Sequence, residues 1–181
     1  MKGKKRYYLL VFVLLLVLFR GQLFRFCIQY EPVGERTILV VNNPALQREI
    51  VDWAADNTTA SVKERIAYSR KLTAKRAAFV MRSTSGQPDD VYVSGRANCV
   101  GYARLFAGVL EEVNKALGNG RAVSQAVLIG ELSLFGQSLH QLSDDPFWRD
   151  HDYNQVTDLK TGEVFFLDVT LYDYLGIRWV K

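Results

Sequence analysis

The segment RANCVGYARLF, residues 96–106, places one of the two cysteines of the chain at the start of a helical pattern. Asn98 is the expected N-cap, and LGNG at 117–120 supplies a glycine that ends the helix. Apolar residues recur every three or four positions, as one face of an α-helix requires: Cys99, Ala103, Phe106, Leu110, Val113 and Leu117. A first-turn thiolate is stabilised by free backbone N–H groups and the helix dipole. Cys99 is therefore either a nucleophile or a buried apolar residue, and a neighbouring base would distinguish the two.

A base and its partner are predicted in the segment HDYNQVTDLKTGEVFFLDVTLYD, residues 151–173. It predicts a β-hairpin, because YNQVTDL alternates, KTG turns and EVFFLDV returns. Counting outward from the turn brings His151 and Asp168 roughly opposite each other. Asp168 lies within the apolar run 165–169, where a buried carboxylate is costly without a partner. We expect it to orient the His151 imidazole, whereas His140, in GQSLHQLSDDP, is expected to be an ordinary loop or core residue.

The N-terminal stretch MKGKKRYYLLVFVLLLVLFRGQ has a basic cluster before the uncharged run Tyr7–Phe19, the order of an export signal. Thirteen helical residues span about 20 Å, less than the ~30 Å hydrocarbon core, so a spanning helix would include residues 21–28. No small-residue cleavage motif follows. We expect an uncleaved signal anchor over residues 1–30, with residues 31–181 forming one domain outside the cytoplasm. The alternatives are a secreted chain after signal cleavage and a buried core helix.

The charge distribution argues against a nucleic-acid partner. Residues 1–30 contain six of the 23 basic residues and none of the 19 acidic residues, which leaves residues 31–181 with a net charge of −2. That domain therefore lacks the electrostatic support that nucleic-acid binding needs. The two histidines lie eleven residues apart, away from Cys99, so no metal-ligand spacing occurs and no metal or cofactor is expected. A disulfide between Cys27 and Cys99, which would make the domain purely structural, is the third hypothesis.

Three further segments have local signals. ERTILVVNN, residues 35–43, is β-branched and predicts a short strand or an extended arm. Asn43 is the expected N-cap of a following helix, with Pro44 at its first position. The segment RSTSGQPDD, residues 82–90, is rich in turn formers and predicts a loop.

The spacing of Ser61 and Glu64 matches a capping box. It predicts that a second helix begins after Ser61. Its many basic residues are expected to form a solvated face, with an anionic membrane surface as the alternative. These residues are Lys63, Arg65, Arg70, Lys71, Lys75 and Arg76.

From about Gly95 to Asp173 the chain resembles the transglutaminase-like superfamily of papain-like cysteine enzymes. CVGYARLFAGVL at 99–110 resembles the nucleophile helix of that family, and GNGRAVSQAVLIG at 118–130 the following turn and strand. HDYNQV at 151–156 resembles the histidine strand, and FLDVTLYD at 166–173 the aspartate strand. The blocks occur in family order. The chain departs from the family at Tyr153, where tryptophan is usual, and at Ala97, where glycine is common.

The resemblance implies an α+β fold in which a cysteine-headed helix packs on an antiparallel β-sheet, preceded by N-terminal helices. It implies that Cys99 is the nucleophile, His151 the general base and then acid, and Asp168 the residue that orients the imidazole. The Cys99 backbone N–H is the expected oxyanion donor. Gln87 and Tyr92 are candidates for the second donor.

The expected activity is acyl transfer on an amide bond through a thioester, by a cysteine hydrolase or a transglutaminase-like enzyme without a cofactor. Peptide, protein or cell-wall amides are the expected substrates of an external, membrane-tethered domain. The principal alternative is a catalytically inactive scaffold that binds a peptide or a membrane-associated partner.

Overall fold

The computed structural model describes residues 2–118, 123–142 and 151–181. Its helices are α1 (Lys2–Leu18), α2 (Arg20–Cys27), α3 (Pro44–Asp56), α4 (Val62–Arg76), α5 (Pro88–Ser94), α6 (Cys99–Ala116) and α7 (Val169–Leu175), with a 3-10 turn at Leu139–Leu142. Its strands are β1 (Ile28–Arg36), β2 (Ala78–Phe79), β3 (Arg96–Ala97), β4 (Val123–Leu134), β5 (Gln137–Ser138), β6 (His151–Asp158) and β7 (Val164–Leu167). The fold is mixed α+β with an antiparallel main sheet, as predicted.

The main sheet has the strand order β1-β4-β6-β7, and β5 folds back on β4. Every pairing in it is antiparallel. β6 and β7 form the predicted hairpin, in which Asn154 lies opposite Leu167 and Gly162 adopts a φ of 73° in the turn. β2 and β3 form a separate parallel pair just before α6. β6 therefore lies inside the sheet, between β4 and β7, and the end of β7 lies near the start of β6.

Helix α6 is the core of the molecule and begins where the sequence predicts. The side chain of Asn98 accepts a hydrogen bond from the Gly101 N–H at 3.1 Å, and Gly118 follows the last turn with a φ of 67°. The helix contacts β4 and β6 on one side and α3, α4, α5 and α7 on others. It is consequently buried beyond the predicted stripe, at Tyr102, Leu105 and Val109 as well. Only a narrow part of its surface therefore reaches solvent.

Both predicted N-caps of the preceding helices are confirmed. Asn43 Oδ1 accepts from the N–H groups of Ala45 and Leu46, at 3.0 and 3.2 Å. At α4, the Glu64 N–H donates to Ser61 Oγ and the Ser61 N–H donates to Glu64 Oε2, which is the reciprocal capping box. Local capping chemistry thus sets where these helices begin.

Of the two alternatives predicted for residues 35–43, a short strand or an extended arm, the strand is wrong beyond Arg36. β1 runs from Ile28 to Arg36, and residues 37–43 lie outside regular structure. The backbone N–H groups of Asn42 and Asn43 donate to the Asp89 carboxylate instead of to a neighbouring strand. The β-branched Val41 is fully buried in the helical core cluster. Burial in the core, and not strand pairing, therefore accounts for Val41.

Two other expectations need correction. The predicted loop 82–90 ends in the first turn of α5, because Pro88 at N1 followed by Asp89 favours a helix start. The basic residues of α4 do not form one solvated face: Arg65 and Arg70 are only 5% and 4% exposed, while Lys63, Lys71 and Lys75 are exposed. Two of the α4 cations therefore have structural surroundings that helical periodicity alone does not indicate.

The apolar N-terminal run does not continue as one helix. α1 and α2 meet at a bend of 70°, and no single helix in the described residues is both long and apolar enough to cross a membrane, although the bent pair reaches the required length and composition together. Arg20 lies at the bend, and its Nε donates to the Leu175 carbonyl at 2.5 Å. It thereby places a cation at the C-terminal end of α7, where the helix dipole favours one. Both Cys27 and Cys99 are free thiols.

Candidate active site

Three different elements bring the predicted site residues together. Cys99 begins α6, His151 begins β6, and Asp168 follows β7 as the N-cap of α7. His151 Nε2 lies 2.5 Å from Asp168 Oδ2. The register that pairs Asn154 with Leu167 puts Asp168 diagonally across from His151, so the two side chains meet across neighbouring strands. The hairpin therefore positions the carboxylate beside the imidazole.

Asp168 is 1% exposed and its carboxylate is fully hydrogen-bonded. Oδ2 faces His151 and accepts from the Tyr30 hydroxyl at 2.9 Å. Oδ1 accepts from the backbone N–H groups of Thr170 and Leu171, at 2.9 and 3.2 Å. Burial alone would raise the pKa of Asp168, but the His151 charge and these hydrogen bonds lower it below its usual value. The carboxylate is therefore ionised at neutral pH.

The His151 side chain is 22% exposed, which leaves the imidazole accessible from one side. Burial lowers its pKa, but the charge of Asp168 and the hydrogen bond to it raise the pKa, and an interaction with Cys99 raises it further. The net result is a pKa well above the usual value. Because Nε2 faces Asp168, Nδ1 is the nitrogen left for the Cys99 thiol. The arrangement favours an imidazolium beside the sulfur.

Cys99 is 6% exposed and lies in the first turn of α6. The Gly101 and Tyr102 N–H groups are taken by the side chain and the carbonyl of Asn98. Within the described residues, the N–H groups of Cys99 and Val100 have no hydrogen-bond acceptor. These two donors and the positive end of the helix dipole suit the developing negative charge of an oxyanion.

Tyr30 belongs to this site, although sequence reasoning placed it at the end of the membrane segment. It is buried in β1, its hydroxyl donates to Asp168, and its ring packs edge-on against Tyr153 and His151 at centroid distances of 4.9 and 6.0 Å. Burial and the nearby Asp168 charge raise its pKa well above the usual value, so it remains a donor. The local sequence signal for Tyr30 is the short alternation of apolar and polar residues at 28–31, which is typical of a strand.

Replacing Tyr30 by phenylalanine should lower the free energy of unfolding by about 2 kcal/mol, because a buried carboxylate loses a hydrogen bond. The lowered pKa of Asp168 provides stability that is lost as pH falls through that pKa. In the variant the pKa of Asp168 should be lowered less, so we expect the loss of stability in acid to begin at a higher pH. Thermal unfolding across acidic pH measures both effects.

Tyr153→Phe is the matched control for Tyr30→Phe. Tyr153 lies in the same buried cluster, but its hydroxyl contacts Lys181 Nζ at 3.5 Å and not Asp168. The control should leave the acid limb of the stability curve unchanged. An equal shift in both variants would show that the Tyr30 hydroxyl does not act through Asp168.

A second ion pair lies next to the site on β6. The Asp152 side chain is completely buried, and Arg36 Nε lies 2.5 Å from its Oδ2. Burial raises the pKa of Asp152, and Arg36 partly opposes this. Asn154 lies two residues along β6 and donates to the Ala103 carbonyl of α6 at 3.0 Å. The pair therefore links β1 to the strand that carries His151.

Gln87 and Tyr92, the candidates for the second oxyanion donor, contact groups other than the thiol. Gln87 is exposed before α5, and its N–H donates to Ser85 Oγ. The Tyr92 ring contacts the Arg76 guanidinium at 5.0 Å. His140 lies in the 3-10 turn, and its side chain is outside the described part of the chain. Across the described ranges, no three His, Cys, Asp or Glu side chains converge on a point that could hold a metal ion.

Comparison of the chain with protein-family models, with curated proteins and with solved structures found no match in any of the three. The geometry of the site therefore carries the functional proposal.

Proposed function

We propose that the protein catalyses thiol-dependent acyl transfer on amide bonds, with Cys99 as nucleophile, His151 as general base and acid, and Asp168 as the residue that orients the imidazole. The supporting observation is the 2.5 Å contact between His151 Nε2 and the buried Asp168, beside a thiol in the first turn of α6. This is the order of groups that an activated nucleophile needs: thiol, base and a carboxylate behind the base.

The proposed reaction has two steps. The Cys99 thiolate attacks the amide carbonyl carbon, and the N–H groups of Cys99 and Val100 bind the resulting oxyanion. Collapse of the tetrahedral intermediate breaks the C–N bond, the leaving amine takes the proton of the His151 imidazolium, and a thioester remains. His151 then removes a proton from water or from a second amine, which attacks the thioester and restores the thiol. Water gives hydrolysis and an amine gives transamidation.

We also propose that the domain has a transglutaminase-like core. The observed order supports this: a cysteine-headed helix, an antiparallel strand, a histidine strand, and an aspartate at the end of the next strand. The expected substrates are peptide, protein or cell-wall amides. The alternative is a catalytically inactive scaffold, and the labelling experiment below distinguishes it from an enzyme.

The test is the rate of Cys99 alkylation by iodoacetamide in the full-length chain. In a Cys27→Ser background, which leaves one thiol, we expect iodoacetamide to label Cys99 at about pH 6 faster than it labels the same residue in the unfolded chain, because the positive charge of the His151 imidazolium favours the reacting sulfur anion. His151→Ala should slow labelling at that pH by at least about tenfold. The full chain is needed because a fragment starting at Glu31 would lack Tyr30 and the start of β1.

Labelling of the unfolded protein gives the reference rate for an ordinary thiol. A folded chain that labels slowly, with the pH dependence of a free cysteine and no response to His151→Ala, would contradict the enzyme proposal. That result would make Cys99 a core residue and favour a binding scaffold.

For location, we propose that residues 1–30 anchor the protein in a membrane with the domain on the extracytoplasmic side. The apolar side chains of residues 12–18 are exposed on α1, and four basic residues precede them. In a Cys27→Ser/Cys99→Ser background, which removes both native thiols, a Lys160→Cys variant in the exposed β6–β7 turn should react with a membrane-impermeant maleimide in intact cells. Labelling only after cell lysis would place the domain on the cytoplasmic side.

A further inference from the structure

A second concave site lies away from Cys99 and His151, between α2, α4, β7 and the C-terminal segment. It has a volume of about 630 Å³, and its walls include Phe165, Phe166 and Trp179. Its basic lining residues are Arg25, Lys63, Arg70, Arg178 and Lys181. We call it the basic pocket. Its acidic lining residue, Glu163, is already paired with Lys63 at 2.8 Å. The other four cations therefore share the pocket without that carboxylate.

Arg70 provides the least accessible positive charge in the basic pocket. It is 4% exposed, and its guanidinium lies over the rings of Tyr172 and Trp179, at 4.2 and 5.4 Å from their centroids. Its Nη1 donates to the Arg178 carbonyl at 3.1 Å, while its buried Nε has no hydrogen-bond partner among the described residues. A buried guanidinium with an unused donor is costly, and an anion in the pocket would offset that cost.

The other cations are held close by but are not neutralised. Arg25 Nη1 donates to the Trp179 carbonyl at 3.2 Å. Lys181 Nζ lies over the rings of Phe166 and Tyr153, at 4.7 and 5.5 Å. Within the described ranges, no carboxylate lies within ion-pair distance of Arg25, Arg70, Arg178 or Lys181. Contacts with aromatic rings and backbone carbonyls thus hold several cations close together, although their positive charges repel one another.

We propose that the basic pocket binds a phosphate-bearing anion through Arg70, Arg178 and Lys181. A phosphate has enough acceptor oxygens and charge to serve several cations at once, and the planar arginine fork matches its geometry. Arg25 belongs to α2, directly after the apolar helix α1, so the pocket opens beside the segment proposed to anchor the chain. The phosphate is carried either by an anionic lipid headgroup or by a soluble molecule. The inference is independent of the proposed thiol chemistry.

The test is isothermal titration calorimetry of the full-length chain in a nonionic maltoside detergent. One arm adds inorganic phosphate, and the other adds a short-chain phosphatidylglycerol, with chloride at matched ionic strength as the blank. We expect saturable binding in at least one arm. Much tighter binding of the lipid identifies a headgroup site, whereas equal affinity identifies a site for a soluble phosphate.

Arg178→Gln/Lys181→Gln should weaken this binding by at least about tenfold, because two of the three proposed anion ligands lose their charge. Both side chains are exposed, so the variant should keep the unfolding temperature of the parent. Lys71→Gln/Lys160→Gln removes the same charge at exposed sites outside the pocket and should bind as the parent does. Binding in neither arm, or an equal loss in both variants, would overturn the proposal.

Discussion

Asp168→Asn should slow the alkylation of Cys99 at pH 6 by about 100-fold, because the charge that holds His151 as an imidazolium is removed. The amide would still accept from the N–H groups of Thr170 and Leu171, so the cap of α7 has a replacement. The NH₂ group of the introduced asparagine would, however, face His151 Nε2 and the Tyr30 hydroxyl. Both of these groups donate to Asp168 in the parent, so donors would face a donor. We therefore expect the reactivity of the thiol to fall much more than the helix content.

The same variant should also change how stability depends on pH. The raised pKa of His151 provides stability that is present below about pH 6.5 and is lost as pH rises through the folded pKa. The lowered pKa of Asp168 provides stability that is present above about pH 4 and is lost as pH falls through its folded pKa. The parent should therefore be most stabilised by the pair between about pH 4 and 6.5.

Unfolding temperatures from acidic to alkaline pH, together with the labelling rate, test both expectations. In Asp168→Asn the stability maximum between about pH 4 and 6.5 should flatten. Asp158→Asn is a suitable control, because it makes the same substitution on the same hairpin, where the side chain caps the turn at Lys160. If the control and Asp168→Asn behaved alike, the His151 and Asp168 contact would not be what activates the thiol.

Arg36→Met should cost about 3 to 5 kcal/mol of unfolding free energy at pH 7, the largest loss of stability that we expect from one substitution. It would leave the carboxylate of Asp152 fully buried without its cation. Because burial already raises the pKa of Asp152, an unpaired Asp152 should take up a proton readily. The loss should therefore shrink as the pH is lowered toward the range in which Asp152 is protonated.

Chemical unfolding of the full-length chain at pH 7 and at about pH 4.5 measures the cost and its recovery. Arg36→Met/Asp152→Leu is the informative partner variant, since replacing both members of a buried pair by apolar residues is often nearly neutral. A double variant as unstable as the single one would mean that Arg36 stabilises the fold by packing. A cost that does not change with pH would lead to the same conclusion.

The features predicted correctly from the sequence depend on residues that are near one another along the chain. Asn98 caps the helix that Cys99 begins, Ser61 and Glu64 cap each other across three positions, and the KTG turn sets the register of β6 and β7. In each case a short-range hydrogen bond or a fixed turn determines the conformation. The hairpin was therefore sufficient to predict that Asp168 would meet His151.

Long-range pairing decided the rest. β1 pairs with β4 about a hundred residues later, which brings Tyr30 onto Asp168 and Arg36 onto Asp152, and no local pattern encodes that pairing. The segment 35–43 has the composition of a strand, but β1 ends at Arg36, and Asp89 accepts from the N–H groups of Asn42 and Asn43. Helical periodicity likewise could not indicate that Arg70 would be enclosed by rings from α7 and the C-terminal segment. Caps and turns follow from local geometry, whereas burial and partner choice depend on which distant surfaces the folded chain brings together.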